Sequence, residues 1–140
     1  MAFSQYLATK ILDWVKGTAF PSAPTNLFIT IHSASPGVDG SASNITTTVT
    51  GSGNRIALPQ ADLGNVVAVV SGGFERLNSN AVIITNSAVN VSSAFASHAA
   101  LWDANSSGNL LFYDALSVVT EIKFGDLVKF DPATFSVRCI

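Results

Sequence analysis

Charge is what this sequence has least of. Lys, Arg, Asp and Glu together make up 11% of it, against about a quarter of an ordinary soluble domain. The basic residues stand singly at positions 10, 16, 55, 76, 123, 129 and 138. Without a cluster they leave no electrostatic footprint for nucleic acid. Cys139 is the one cysteine, so an intramolecular disulfide is excluded, and its position does not fit a prenylation box. No apolar run approaches the ~18 residues of a membrane span, and no membrane partner is expected. The first residues lack the basic stretch and apolar core of a secretory signal. A repeat of fixed period is missing as well.

What is present is apolar, β-branched and neutral. The chain has 140 residues, 48% of them hydrophobic, and a domain of that size buries roughly 70% of its unfolded surface. Abundant Val, Ile, Thr and Phe argue against disorder. Ser, Thr and Asn fill 38 positions and must supply much of the exterior. Such a wet, weakly charged surface, with net charge −2, resists self-association poorly. It suits a protein that lives inside an assembly.

Periodicity predicts one helix, over residues 4–16. Leu7, Ile11, Trp14 and Val15 recur at helical spacing, Ser4 is placed to cap the start, and Gly17 to stop the end. Pro21 and Pro24 punctuate a connector. Residues 41–54 read as a long polar loop or a weak hairpin. Alternation in Leu27, Ile29 and Ile31 marks a strand over 26–32. Further strands are expected near 55–58, 65–70, 80–85, 95–102, 109–116, 118–124, 126–131 and 134–139. In 118–124 the side chains of Val118, Thr120, Ile122 and Phe124 share one face, predicted to be buried. The fold class is therefore all-β, a single jelly-roll-like β-sandwich with one N-terminal α-helix. Residues 1–25 form the helix and connector, and residues 26–140 the sandwich domain.

Chemistry-bearing motifs are sparse. His32 and His98 sit in predicted strands without metal-ligand spacing, so neither a metal nor a cofactor is expected. His98, Asp103 and a serine could be drawn as a triad, but no Gly-x-Ser-x-Gly elbow accompanies them. Asp39, Asp103, Asp126 and Asp131 lie at turns, where an aspartate caps its own backbone. Catalysis is not expected. Tyr6, Ile11, Trp14, Phe20 and Trp102 are the candidate interface residues, although core packing competes for each Trp.

Four stretches carry a family likeness. They are Tyr6–Phe20, a helix running into Gly-Thr-Ala-Phe; Leu27–Gly40, a strand running into a Pro-Gly loop; His98–Leu116, containing Ala-Leu-Trp-Asp-Ala; and Gly125-Asp126. In this order the chain resembles small tailed-bacteriophage structural proteins of the tail-fibre-like group, some of which are capsid cement or decoration proteins. The resemblance implies a virion location, a symmetric homo-oligomer such as a trimer, and no catalytic residues. A capsid cement protein that bridges major capsid subunits is the leading expectation. A tail-fibre or baseplate component is its alternative, and a small carbohydrate-active enzyme a distant third.

Overall fold

A computed structural model describes residues 2–85 and 93–139. It is mostly β, with one longer helix near its start. The strands are β1 (Ala2–Phe3), β2 (Leu27–His32), β3 (Ile56–Leu58), β4 (Val67–Ala68), β5 (Phe74–Leu77), β6 (Val82–Thr85), β7 (Ala94–Trp102), β8 (Leu110–Ile122), β9 (Leu127–Phe130) and β10 (Ser136–Cys139). They form a five-stranded sheet ordered β1-β8-β7-β2-β3, a three-stranded sheet β10-β5-β4, and a two-stranded sheet β6-β9. All pairings are antiparallel.

The core lies between the large sheet and the two smaller ones. Leu27 and Ile29 of β2, Leu58 of β3 and Leu101 of β7 pack with Val82 of β6 and Phe135, and Phe130 and Val137 close over them. Ile31, Ala96 and Ile122 continue this layer toward the far end of the sheet. β2 is central, which explains why its alternation is incomplete: only Phe28 escapes full burial. Buried on both faces, a strand reads as a nearly continuous apolar run.

The helix α1 (Gln5–Val15) begins and ends where the sequence indicates. Ser4 accepts a hydrogen bond from the Leu7 N–H at 3.1 Å and donates its own hydroxyl to the Leu110 carbonyl. One serine thus caps the helix and fastens it to β8. At the other end Gly17 takes φ +100°. Its N–H reaches Trp14 O at 2.9 Å and that of Thr18 reaches Asp13 O at 3.0 Å, the paired bonds of a Schellman stop.

Several expectations need correction. The 41–54 region holds a short helix, α2 (Thr46–Thr50), with Thr46 and Val49 buried. Its Thr46 hydroxyl oxygen accepts the Ile31 N–H at 2.8 Å, so tertiary contact, not propensity, makes this turn helical. The segments 109–116 and 118–124 belong largely to one long strand, β8, which bulges opposite β7. Of the face expected to be buried there, only Ile122 is; Val118 and Phe124 are 68% and 60% exposed. On α1 no residue is fully buried, and Trp14 and Val15 point to solvent. The opposing layers do not extend far enough to cover either place. β1 and β5 lie outside the predicted strands.

Candidate interaction surface

The sequence-derived interface residues divide into an exposed group and a buried one. Tyr6 and Phe20 line the same groove, about 580 Å³ in volume, between α1, the connector and the turn after β7. Pro21 and Pro24 line it from the connector, and Asp103, Ala104 and Gly108 from the turn. Lys10 sits on the helix above, its Nζ 5.8 Å from the Tyr6 ring centre. Ile11 is half-buried beneath this end of the helix. Trp14 projects from the last turn at 60% exposure, beside Leu12 at 70% and Val15 at 73%, with Phe20 at 48%. Four large apolar side chains thus stand uncovered at the end of α1 and in the connector that follows. Leu12 and Val15, three residues apart, lie on one side of the helix, and exposed apolar side chains of this size make the end of α1 a candidate contact surface.

Trp102 is inside, yet it shapes the groove. Its indole N–H donates to Thr30 Oγ1 at 2.8 Å, and the Arg55 guanidinium stacks 3.6 Å over its ring. Arg55 Nη1 donates to the carbonyls of Ala104 at 2.6 Å and Ser107 at 2.5 Å. One cation therefore ties the 103–109 turn to the indole face. Burial pulls the Arg55 pKa down and Asp103 pushes it back, but a guanidinium remains charged. Asp103 accepts the Asn109 backbone N–H at 2.6 Å and its side-chain amide at 2.8 Å. Gly108, at φ +68°, packs so closely that a Cβ would lie 2.5 Å from Asp103 Oδ1. Arg55 escapes sequence reasoning because a solitary arginine after Gly-Asn gives no sign of the carbonyls it will reach, some fifty residues on.

The indole also heads a directed chain of hydrogen bonds. Thr30 Oγ1, having accepted from Trp102, lies 2.8 Å from His32 Nε2, and His32 Nδ1 lies 2.8 Å from the Ala42 carbonyl. A carbonyl can only accept, so Nδ1 carries the proton and Nε2 accepts from Thr30. Burial lowers the His32 pKa, the Ala42 carbonyl opposes this, and His98 adds to the lowering. Both ring nitrogens are committed, which leaves His32 with a structural role. His98 Nδ1 meets Ser97 Oγ at 2.8 Å, while both Asp103 oxygens are taken by Asn109.

A second, larger groove of about 820 Å³ opens between the sheets along β8. Its floor is apolar, formed by Ile31, Ala96, Ala99, Leu116, Phe130 and Phe135, and acidic side chains appear among its lining. Asp126 caps its turn through the Lys123 N–H at 2.8 Å. Asp39 and Asp103 also cap turns as expected, but the Asp131 carboxylate pairs with Lys129 at 2.6 Å instead. Partial burial pushes the Asp114 carboxyl up, yet hydrogen bonds, that of the Ala115 N–H among them, hold it below the usual range. That direction is opposite to the one a glycosidase general acid needs. Among the described residues no three His, Cys, Asp or Glu side chains converge as metal ligands, and no helix is long and apolar enough to cross a membrane.

Comparison with known proteins gives one family. The family model described as Gp80, Podophage GP4 fiber I protein gp80, matches residues 2–138. No curated protein matches the chain.

Proposed function

We propose that this chain, which belongs to the Gp80 family of podophage fibre I proteins and is a component of the virion, serves as a fibre subunit that works through protein contacts. The family match carries this reading, since it spans nearly every residue and its description is that of a fibre protein. It favours the tail-fibre alternative over capsid cement, which the resemblance alone had put first. The uncovered apolar end of α1, with Leu12, Trp14, Val15 and Phe20, supplies the contact surface toward other virion proteins. Aromatic anchors of this kind dominate interface energetics. A weakly charged exterior makes few demands for desolvation of ions when neighbours close over it. No catalytic role is assigned.

Antibody labelling of intact particles in the electron microscope tests the location. Label on tail appendages, with a few tens of copies or fewer per particle, supports the fibre reading; label spread over the capsid lattice overturns it. Incorporation of Trp14→Ser and Phe20→Ser chains into particles tests the surface. Both should fold normally and enter virions less often than the parent, whereas undiminished entry would remove α1 from the interface. Glycan hydrolysis by the purified chain, abolished by changing one carboxylate, would overturn the non-catalytic assignment.

A further inference from the structure

His32 plays its structural part in one protonation state only. Its side chain is buried, and its Nδ1 proton goes to Ala42 O in the loop that follows β2. Thr30 Oγ1 accepts from the Trp102 indole and donates to His32 Nε2. A proton on Nε2 would turn that acceptor into a donor. Two N–H groups would then point at one hydroxyl oxygen, whose own hydrogen would lose its acceptor. Buried away from water, such an orphan is costly. The charged groups nearby give the proton no welcome. His98 of β7 stands opposite at the same register, and Arg55 lies over the indole. Tyr113 of β8 packs against the Trp102 cluster and carries no negative charge to offer while protonated. In the covering loop, Asp39 is exposed and engaged by the Ser41 N–H and hydroxyl. Asp103 is tied to Asn109, and Asp114, which interacts electrostatically with His98, lines the inter-sheet groove.

Two paths lead from the indole to α1. Arg55, stacked on the ring, holds the Ala104 and Ser107 carbonyls. The turn they belong to lines the groove it shares with Tyr6 and Lys10 of the helix. On the other path the covering loop rests directly on the indole. A Cβ at Gly40 would lie 2.5 Å from Trp102 Cζ2, so ring and loop cannot move independently. Two residues earlier the Val38 carbonyl accepts the N–H of Gln5, the first residue of α1, at 3.2 Å. One indole therefore supports both segments that flank the helix.

We propose that the Trp102–Thr30–His32 chain is a proton-sensitive latch, in which a proton taken up at His32 Nε2 releases the indole and loosens α1 through the Gly40 loop and the 103–109 turn. Acid would thus unsettle the helix that carries Leu12, Trp14 and Val15. Its consequence for assembly rests on the reading of that helix as the contact surface; the latch itself does not.

Magnetic resonance of the purified chain tests it. Nitrogen-15 spectra should show His32 as the Nδ1–H tautomer at neutral pH. As pH falls from about 6.5 toward about 5, the Trp102 indole N–H should shift with the same midpoint as the His32 ring. Amide protection in α1 and the 103–109 turn should fall by at least about tenfold over that range, after correction for intrinsic exchange rates. Protection in β5 and β10, which belong to another sheet, should hold. His32→Gln should abolish the pH dependence, and His98→Gln should move the His32 midpoint upward by removing an opposing charge. Should His32→Gln fail to fold, the two resonances of the parent decide the matter. A His32 ring still neutral at the acid end overturns the latch. So does an indole that ignores the titration, or protection lost evenly through all three sheets. Any of these would leave the fibre reading intact, whereas undiminished entry of Trp14→Ser chains into virions would remove α1 from the interface and spare the latch.

Discussion

Among the described residues, Asn78 ties the segment before β10 to the end of β5 through its side-chain amide. It is buried, and its Oδ1 accepts the backbone N–H groups of Thr134 at 3.1 Å and Phe135 at 2.9 Å. Its Nδ2 donates to the carbonyls of Asn80 at 2.8 Å and Asp131 at 2.9 Å. The turn it clamps includes Ala133 at φ +63°, a conformation that non-glycine residues adopt only under constraint. Asn78→Ala would strand the buried Phe135 N–H, and each such orphan costs about 1–3 kcal/mol. Urea unfolding should therefore show a loss of about 3 kcal/mol, and a loss below about 1 kcal/mol would mean that the clamp is dispensable. His32 makes a different demand, through pH. Its folded pKa is depressed by burial, so the unfolded chain binds the proton first as pH falls, and stability drops with it. The contribution is whole above the ordinary histidine value of about 6.5 and is lost as pH falls below it toward the folded value. Asp39 and Asp114 are also depressed, but their losses begin lower, near the carboxylate range. Melting curves between pH 7.5 and 5 should slope downward for the parent and flatten for His32→Gln. An equal slope in both would put the proton elsewhere.

At the scale of elements, what could be read from the sequence depended on whether the cause was local. The ends of α1 were legible because Ser4 and Gly17 act within a few residues of themselves. β2 was legible through the alternation of Leu27, Ile29 and Ile31, although its central place, buried on both faces, was not. α2 was not, since three threonines in succession are poor helix formers and the turn exists through Thr46 meeting β2. β5 was hidden because Phe74 faces solvent, and its partner Arg138 lies sixty-three residues away, paired with Glu75 at 2.8 Å. How far α1 is covered was not legible for a related reason: period locates an apolar stripe but not the length of the layer that covers it. Of the candidate surface, Tyr6, Trp14 and Phe20 were found as aromatic residues in a helix and connector. The supporting Arg55 was not, because its carbonyl partners are remote in sequence. Local causes also make α1 testable as a unit. Ser4→Ala removes both the helix cap and the bond to Leu110 O, and a lost cap alone costs about 0.5–2 kcal/mol. Amide exchange along α1 should quicken by at least about tenfold while β2 and β7 remain protected. Uniform quickening would mean that the helix and the sheets unfold together.

The whole molecule is held by apolar contact with very little help from charge. Four ion pairs occur among the described residues, Lys10–Asp13, Glu121–Lys123, Lys129–Asp131 and Glu75–Arg138. Three are largely exposed, and exposed pairs contribute about 0–1 kcal/mol each before screening. Only Glu75 is well covered, at 13% side-chain exposure. Raising sodium chloride from 50 to 500 mM shortens the Debye length to a few ångströms, yet it has little here to weaken. Unfolding free energy should change by less than about 1 kcal/mol across that range. The same reasoning extends to contacts between chains, since the exposed set at α1 and its connector is valine, leucine, phenylalanine and tryptophan. Association through it should be nearly indifferent to chloride, strengthened by sulfate, and accompanied by a negative heat-capacity change. Stability or association that collapsed by half a molar sodium chloride would reveal a dominant electrostatic contact. The molecule would then have to be understood through its seven cations and nine anions, and not through the apolar side chains it leaves uncovered.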